Sequence, residues 1–124
     1  MGLNQIDFNN FVRSFGITPV KLINNINNQW FTVISSMFVH SNLSHLIGNM
    51  VYLWIFGDNI EDSFGKLRFI IFYLLCGFAA VFAQILYDPN SPIPMIGASG
   101  AIAGVLGAYL IMYPRAKIWV FMWI

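Results

Sequence analysis

FIIFYLLCGFAAVFAQILY, residues 69–87, runs for nineteen positions without a charged side chain. As a helix it rises about 28 Å, close to the roughly 30 Å of a bilayer's hydrocarbon core. This is the signature of a transmembrane helix, and the rest of the chain agrees with it. The 124 residues are 58% hydrophobic and 9% charged, with a mean hydropathy of +0.69. Soluble domains carry about 25% charged residues, so a water-facing surface cannot be built here, and disorder is excluded on the same ground. A formal net charge of +1 offers no basic face, so no nucleic-acid partner is expected. The lone Cys76 excludes an internal disulfide framework and a cysteine metal site. The fold class read from this is all-α: a polytopic transmembrane helical bundle whose surroundings are the lipid bilayer.

Working outward, residues 96–113 form a second uncharged stretch, IGASGAIAGVLGAYLIMY, rich in small residues and closed by Pro114, Arg115 and Lys117. Upstream, residues 30–57 are apolar but interrupted by HSNLSH. Ser41 or Asn42 is a good N-cap there, which predicts a helix to about Phe56 and leaves residues 31–39 as an interfacial or partly buried lead-in. The expected spans are therefore A (about 42–57), B (69–87) and C (96–113), with the start of another at 118. Residues 1–29 read as a polar, Asn-rich leader without the marks of a signal peptide. Residues 30–124 read as one partial membrane domain.

Charge sets the expected orientation. Lys66 and Arg68 fall between spans A and B, and Arg115 and Lys117 follow span C, so these loops share one side. Four of the six basic residues then face one compartment, which the positive-inside rule names the cytoplasm, despite Asp58, Glu61 and Asp62 in the same A–B loop. The leader and the loop DPNSPIP face outward, and the protein is expected to be a multi-pass protein of a plasma or inner membrane.

The candidate functional residues cluster at that outer level. His45 and Asn49, four apart, share one face of span A, and His40 lies in the lead-in above them. Polar groups in hydrocarbon cost several kcal/mol unless partnered, so this face looks into protein or a water-filled cavity. Two readings stand: hydrogen-bonded glue between helices, or a functional polar site whose imidazole and carboxamide donate to a developing oxyanion. Ser99 likewise is either one more small residue in a tight interface or a functional hydroxyl. It sits in the first turn of span C, where free backbone N–H groups can stabilise an anion. Gly100, Gly104 and Gly107 form nearly one stripe on which another helix can pack closely. Neither a metal nor an organic cofactor is expected, because two histidines without suitably placed cysteines or carboxylates are a poor zinc set.

HSNLSHLIGN, then FGDNIEDSFG, then GASG opening a glycine-rich span, resemble the rhomboid family of intramembrane serine proteases in order and spacing. The resemblance runs from about Trp30 to the carboxyl terminus. It implies that spans A, B and C are the second to fourth helices of a six-helix core, so that the chain is an incomplete rhomboid-like bundle. It also implies a function: hydrolysis of peptide bonds in transmembrane protein substrates near the outer membrane face. Ser99 would be the nucleophile. The side chains of His45 and Asn49, with the Ser99 backbone, would form the oxyanion site, with His40, Gly97 and Gly100 as accessory residues and Gly104 and Gly107 as helix-packing residues. The family's general base is a histidine on its sixth helix, which these residues do not reach, so the chain is expected to be inactive alone. The alternative implied by the same resemblance is a pseudoprotease that binds transmembrane helices without cutting them.

Overall fold

The structure is a computed structural model and describes residues 4–119. Among the described residues seven helices follow one another: α1 Gln5–Phe15, α2 Pro19–Asn24, α3 Ile26–Gln29, α4 Thr32–Ser35, α5 Leu43–Phe64, α6 Lys66–Tyr87 and α7 Ser99–Met112. No strand occurs among the described residues; an isolated antiparallel bridge joins Ile17 to Met95. The fold is all-helical, as the composition required.

The three long helices are the expected spans A, B and C, with different ends. Span A does not stop near Gly57 but continues as α5 to Phe64. Phe56, Ile60 and Phe64 recur every four residues and keep an apolar face on the core, where Phe56 is 6% and Ile60 0% exposed. Asp58, Glu61 and Asp62 therefore lie on helix rather than in a loop. The connection to α6 is Gly65 alone, at φ 84, a left-handed conformation that glycine takes without strain. Lys66 and Arg68 accordingly belong to the first turn of α6. Span C is shorter than its apolar stretch: Gly97, at φ 109, cannot continue a helix, so α7 begins at Ser99, and Tyr113 before Pro114 closes it.

Packing of α7 against both α5 and α6 makes the bundle. Where α6 offers small side chains the axes approach closely: a Cβ added at Gly100 would lie 2.5 Å from the Cβ of Ala80, and one at Gly104 would collide with Cys76. Gly107, expected to pack in the same way, does not; a Cβ there meets nothing within 4 Å. At that end of the interface α6 supplies Phe69, Phe72 and Tyr73, and these rings gather with Val105, Tyr109 and Tyr113 around Phe56 and Ile60. Rings keep helices apart where Ala80 and Cys76 let them touch.

By length and apolar composition only α6, among the described residues, is able to cross a membrane by itself; α7 is apolar but has fourteen residues, about 21 Å. The basic groups of early α6 and those following α7 do lie at one end of the bundle, because the Tyr113 hydroxyl meets Ser63 Oγ at 2.8 Å and the Asn59 carbonyl at 3.4 Å.

The leader is more structured than its polarity suggests. Asn4 caps α1 by accepting from the Asp7 N–H at 2.8 Å, and Pro19 occupies the first turn of α2, where its missing N–H costs nothing. Between them, Ile17 exchanges two hydrogen bonds with Met95, of 3.0 and 2.8 Å, and at 1% exposure forms a small core with Leu22 and Val81. The lead-in is also buried in part: Thr32, Ser36, Met37 and Val39 are shielded, and the Ser36 carbonyl accepts from the Gly97 N–H at 2.8 Å. The expected further helix at Ile118 falls mostly on residues 120–124, outside the described residues; Ile118 and Trp119 are not helical.

Candidate functional site

The segment HSNLSH builds one wall. Of the two candidate caps it is Asn42 that serves, its Oδ1 accepting from the His45 N–H at 2.8 Å. One turn on, Asn49 is 8% exposed and its Nδ2 donates to the His45 carbonyl at 3.1 Å. One amide hydrogen is thereby used within α5, while Oδ1 and the second hydrogen stay free.

The opposite wall is the start of α7. Gly97 lies directly against the imidazole: a Cβ on it would be 2.9 Å from His45 Cε1, 3.1 Å from Nε2 and 3.9 Å from Asn49 Nδ2. Only a residue without a side chain fits there. Two residues further, Ser99 opens α7. The first helical backbone bond accepted at this end runs from the Ile102 N–H to the Ala98 carbonyl at 3.0 Å, so the N–H groups of Ser99, Gly100 and Ala101 precede the ladder.

His45, Asn49 and Ser99 line one cleft of about 380 Å³, with Tyr52, Ile102 and Leu106 as its apolar walls. Ser99 is exposed, and among the described residues its hydroxyl has no hydrogen-bond partner. It also fronts a second cavity of about 220 Å³ between α6 and α7, bordered by Met37, Gln84, Met95 and Gly100. The serine hydroxyl thus stands where two cavities meet, beside a histidine and an amide brought from a helix fifty or more positions away in sequence. The arrangement offers a hydroxyl nucleophile next to several N–H donors, the elements of acyl transfer.

The remaining expected residues separate. His40 does not line the Ser99 cleft. It borders a larger apolar cavity of about 580 Å³ with Phe38, Leu46, Met50 and Leu53, and its ring stands edge-on to His45 at 5.1 Å between centroids. Its Nδ1 donates to the Phe38 carbonyl at 3.1 Å, and its buried Nε2 has no partner. Gly97 touches the site; Gly100 packs on Ala80. Among the described residues no group of three or more His, Cys, Asp or Glu side chains converges as a metal site would require. Sequence reasoning missed Ser41, whose hydroxyl lies 3.1 Å from His45 Nδ1. The four-residue spacing to His45 was the available signal.

A helical membrane domain with a serine, a histidine and an asparagine converging at one end is the class that fold and site define together. Comparison with known proteins specifies it. A model of the Rhomboid domain matches residues 27–124. Rhomboid protease GluP of Bacillus subtilis is 37% identical over 82 residues, covering 66% of this chain and 16% of that protein. Rhomboid protein 1, mitochondrial, of Saccharomyces cerevisiae is 34% identical over 94 residues, covering 73% and 27%. Inactive RHOMBOID-like protein 8 of Arabidopsis thaliana is 33% identical over 84 residues, covering 68% and 23%. No solved structure matches significantly. The chain belongs to the rhomboid family, integral membrane proteins that include serine proteases acting on membrane proteins and also inactive members. It spans less than half the length of these relatives.

Proposed function

We propose that the protein carrying this chain is an intramembrane serine endopeptidase that cleaves transmembrane substrates near the outer membrane face. The observation that supports this reading is the single cleft shared by Ser99, His45 and Asn49. Ser99 Oγ attacks the substrate carbonyl. The Nε2–H of His45, the free amide hydrogen of Asn49 and the backbone N–H at Ser99 hold the oxyanion that develops. The proton passes to a histidine outside these 124 residues, since His45 stands on the oxyanion wall and His40 borders a separate cavity. Substrates are transmembrane helices unwound by Gly or Pro at their outer ends, where a backbone carbonyl becomes reachable. By the positive-inside rule the end bearing Lys66, Arg68, Arg115 and Lys117 is cytoplasmic, which puts the cleft at the opposite, outer end of α5 and α7.

The test is fluorophosphonate labelling of the complete gene product in membranes, with Ser99→Ala as control. Labelling that disappears in the variant supports an activated serine. Absence of labelling in folded protein favours the second reading, a pseudoprotease that binds transmembrane helices, to which the 33% identity with an inactive relative lends weight.

A further inference from the structure

A neutral imidazole carries its hydrogen on one ring nitrogen or the other, and which nitrogen is protonated is set by the bond the opposite nitrogen makes. At His45 that bond comes from Ser41. The Ser41 backbone N–H lies 3.4 Å from Nδ1 and the Ser41 Oγ lies 3.1 Å from the same atom. A backbone N–H only donates, so Nδ1 is the acceptor of that contact, and the hydroxyl satisfies it as a second donor. The ring hydrogen is therefore on Nε2. This is the nitrogen that faces Gly97, 3.1 Å from where a Cβ would stand, on a residue that lines the cleft shared with Ser99.

The local sequence divides the work between two short polar residues. Asn42 caps α5 through the His45 N–H, at 2.8 Å, which frees Ser41 from capping. Ser41, one position earlier, is folded back by that cap onto the side chain four residues ahead. Asn42 thus anchors the backbone of His45 and Ser41 anchors its ring.

We propose that Ser41 is the positioning residue of the oxyanion site: it holds His45 in the tautomer and orientation that present Nε2–H to the Ser99 cleft. The proposal rests on the protease reading for its catalytic consequence but not for its structural content. Removing the hydroxyl leaves the weaker backbone contact alone, so the ring is free to turn and to exchange tautomers. Loss of one oxyanion donor typically lowers kcat by 10²–10³, and a donor loosened rather than deleted should lower it by about tenfold.

The experiment is ¹⁵N NMR of the histidine side chains in the protein reconstituted in bicelles, assigned through the backbone, for the parent, Ser41→Ala and Ser41→Thr. It is paired with kcat and KM for a transmembrane substrate in the complete gene product. The parent is expected to show His45 as a single Nε2–H tautomer, and Ser41→Ala a mixture of both. The Ala variant should lose about tenfold in kcat with KM unchanged within about twofold. Ser41→Thr, which keeps the hydroxyl, should restore tautomer and rate. A parent protonated at Nδ1, or an Ala variant with the parent's tautomer and rate, overturns the proposal. A tautomer shift in a protein that hydrolyses nothing upholds the placement of the ring by Ser41 and removes the protease reading instead.

Discussion

Gly97, just before α7, and His45 of α5 are in contact so tightly that a single methyl group on Gly97 would approach Cε1 to 2.9 Å. The same glycine sits at φ 109, where a side chain is strained whatever the space. Two independent constraints thus converge on one residue, one from its backbone and one from the imidazole beside it. Gly97→Ala is expected to destabilise by about 1–3 kcal/mol, the range for a residue held in a sparsely populated conformation. It should also suppress fluorophosphonate labelling at Ser99 by displacing the ring. Thermal unfolding in detergent and labelling of the complete gene product measure both effects, and a variant of parental stability and reactivity would refute the contact.

Ser99→Ala separates function from stability. The side chain is exposed and its hydroxyl bonds to nothing among the described residues, so unfolding should move by no more than about 0.5 kcal/mol. Cleavage of a transmembrane substrate by the complete gene product should fall to background. Retained cleavage would remove Ser99 as nucleophile.

Two of the three glycines of α7, Gly104 and Gly107, should respond in opposite directions. Gly104→Val drives a branched side chain into Cys76 and is expected to destabilise by about 1–3 kcal/mol through overpacking. Gly107→Ala meets nothing and replaces a poor helix former with the best one, so it should be neutral or stabilise by up to about 1 kcal/mol. Unfolding of both variants side by side tests the packing; equal losses would contradict it.

Ile17→Ala probes whether the leader is part of the folded unit. Ile17 is 1% exposed, packed with Leu22 and Val81, and tied to Met95 by its backbone. Truncation of such a side chain costs about 2–5 kcal/mol. A loss well under 1 kcal/mol would mean that residues 4–29 do not share stability with the bundle.

Tyr113→Phe removes the hydroxyl that joins the end of α7 to α5 through Ser63 and Asn59. The expected loss is about 0.5–1.5 kcal/mol, the net value of one such bond. In a double-mutant cycle with Ser63→Ala the two losses should be less than additive, since each removes the same contact.

Fold class was legible from the chain alone because nineteen uncharged residues and a 9% charge content leave no water-soluble alternative. The serine, histidine and asparagine could also be singled out, since each sits at the polar start of an apolar stretch, where its residue type is out of place unless it is used or partnered. Helix ends were harder. Local composition made Gly57-Asp58 look like an exit from span A, whereas burial of Ile60 beside Val105 of α7 and edge-on packing of Phe64 against Phe72 of α6 carry α5 two turns further. Likewise the stripe of Gly100, Gly104 and Gly107 is uniform in sequence, but only the facing residues of α6 decide which glycines are contacts. The convergence of Ser99 with His45, the place of Ile17 in the core and the hold of Ser41 on an imidazole depend on atoms distant in sequence or on a ring's orientation. Periodicity and capping report what one segment buries and where it turns. Which partner fills the other side of a contact is set by tertiary packing, and for this protein that packing decided the site.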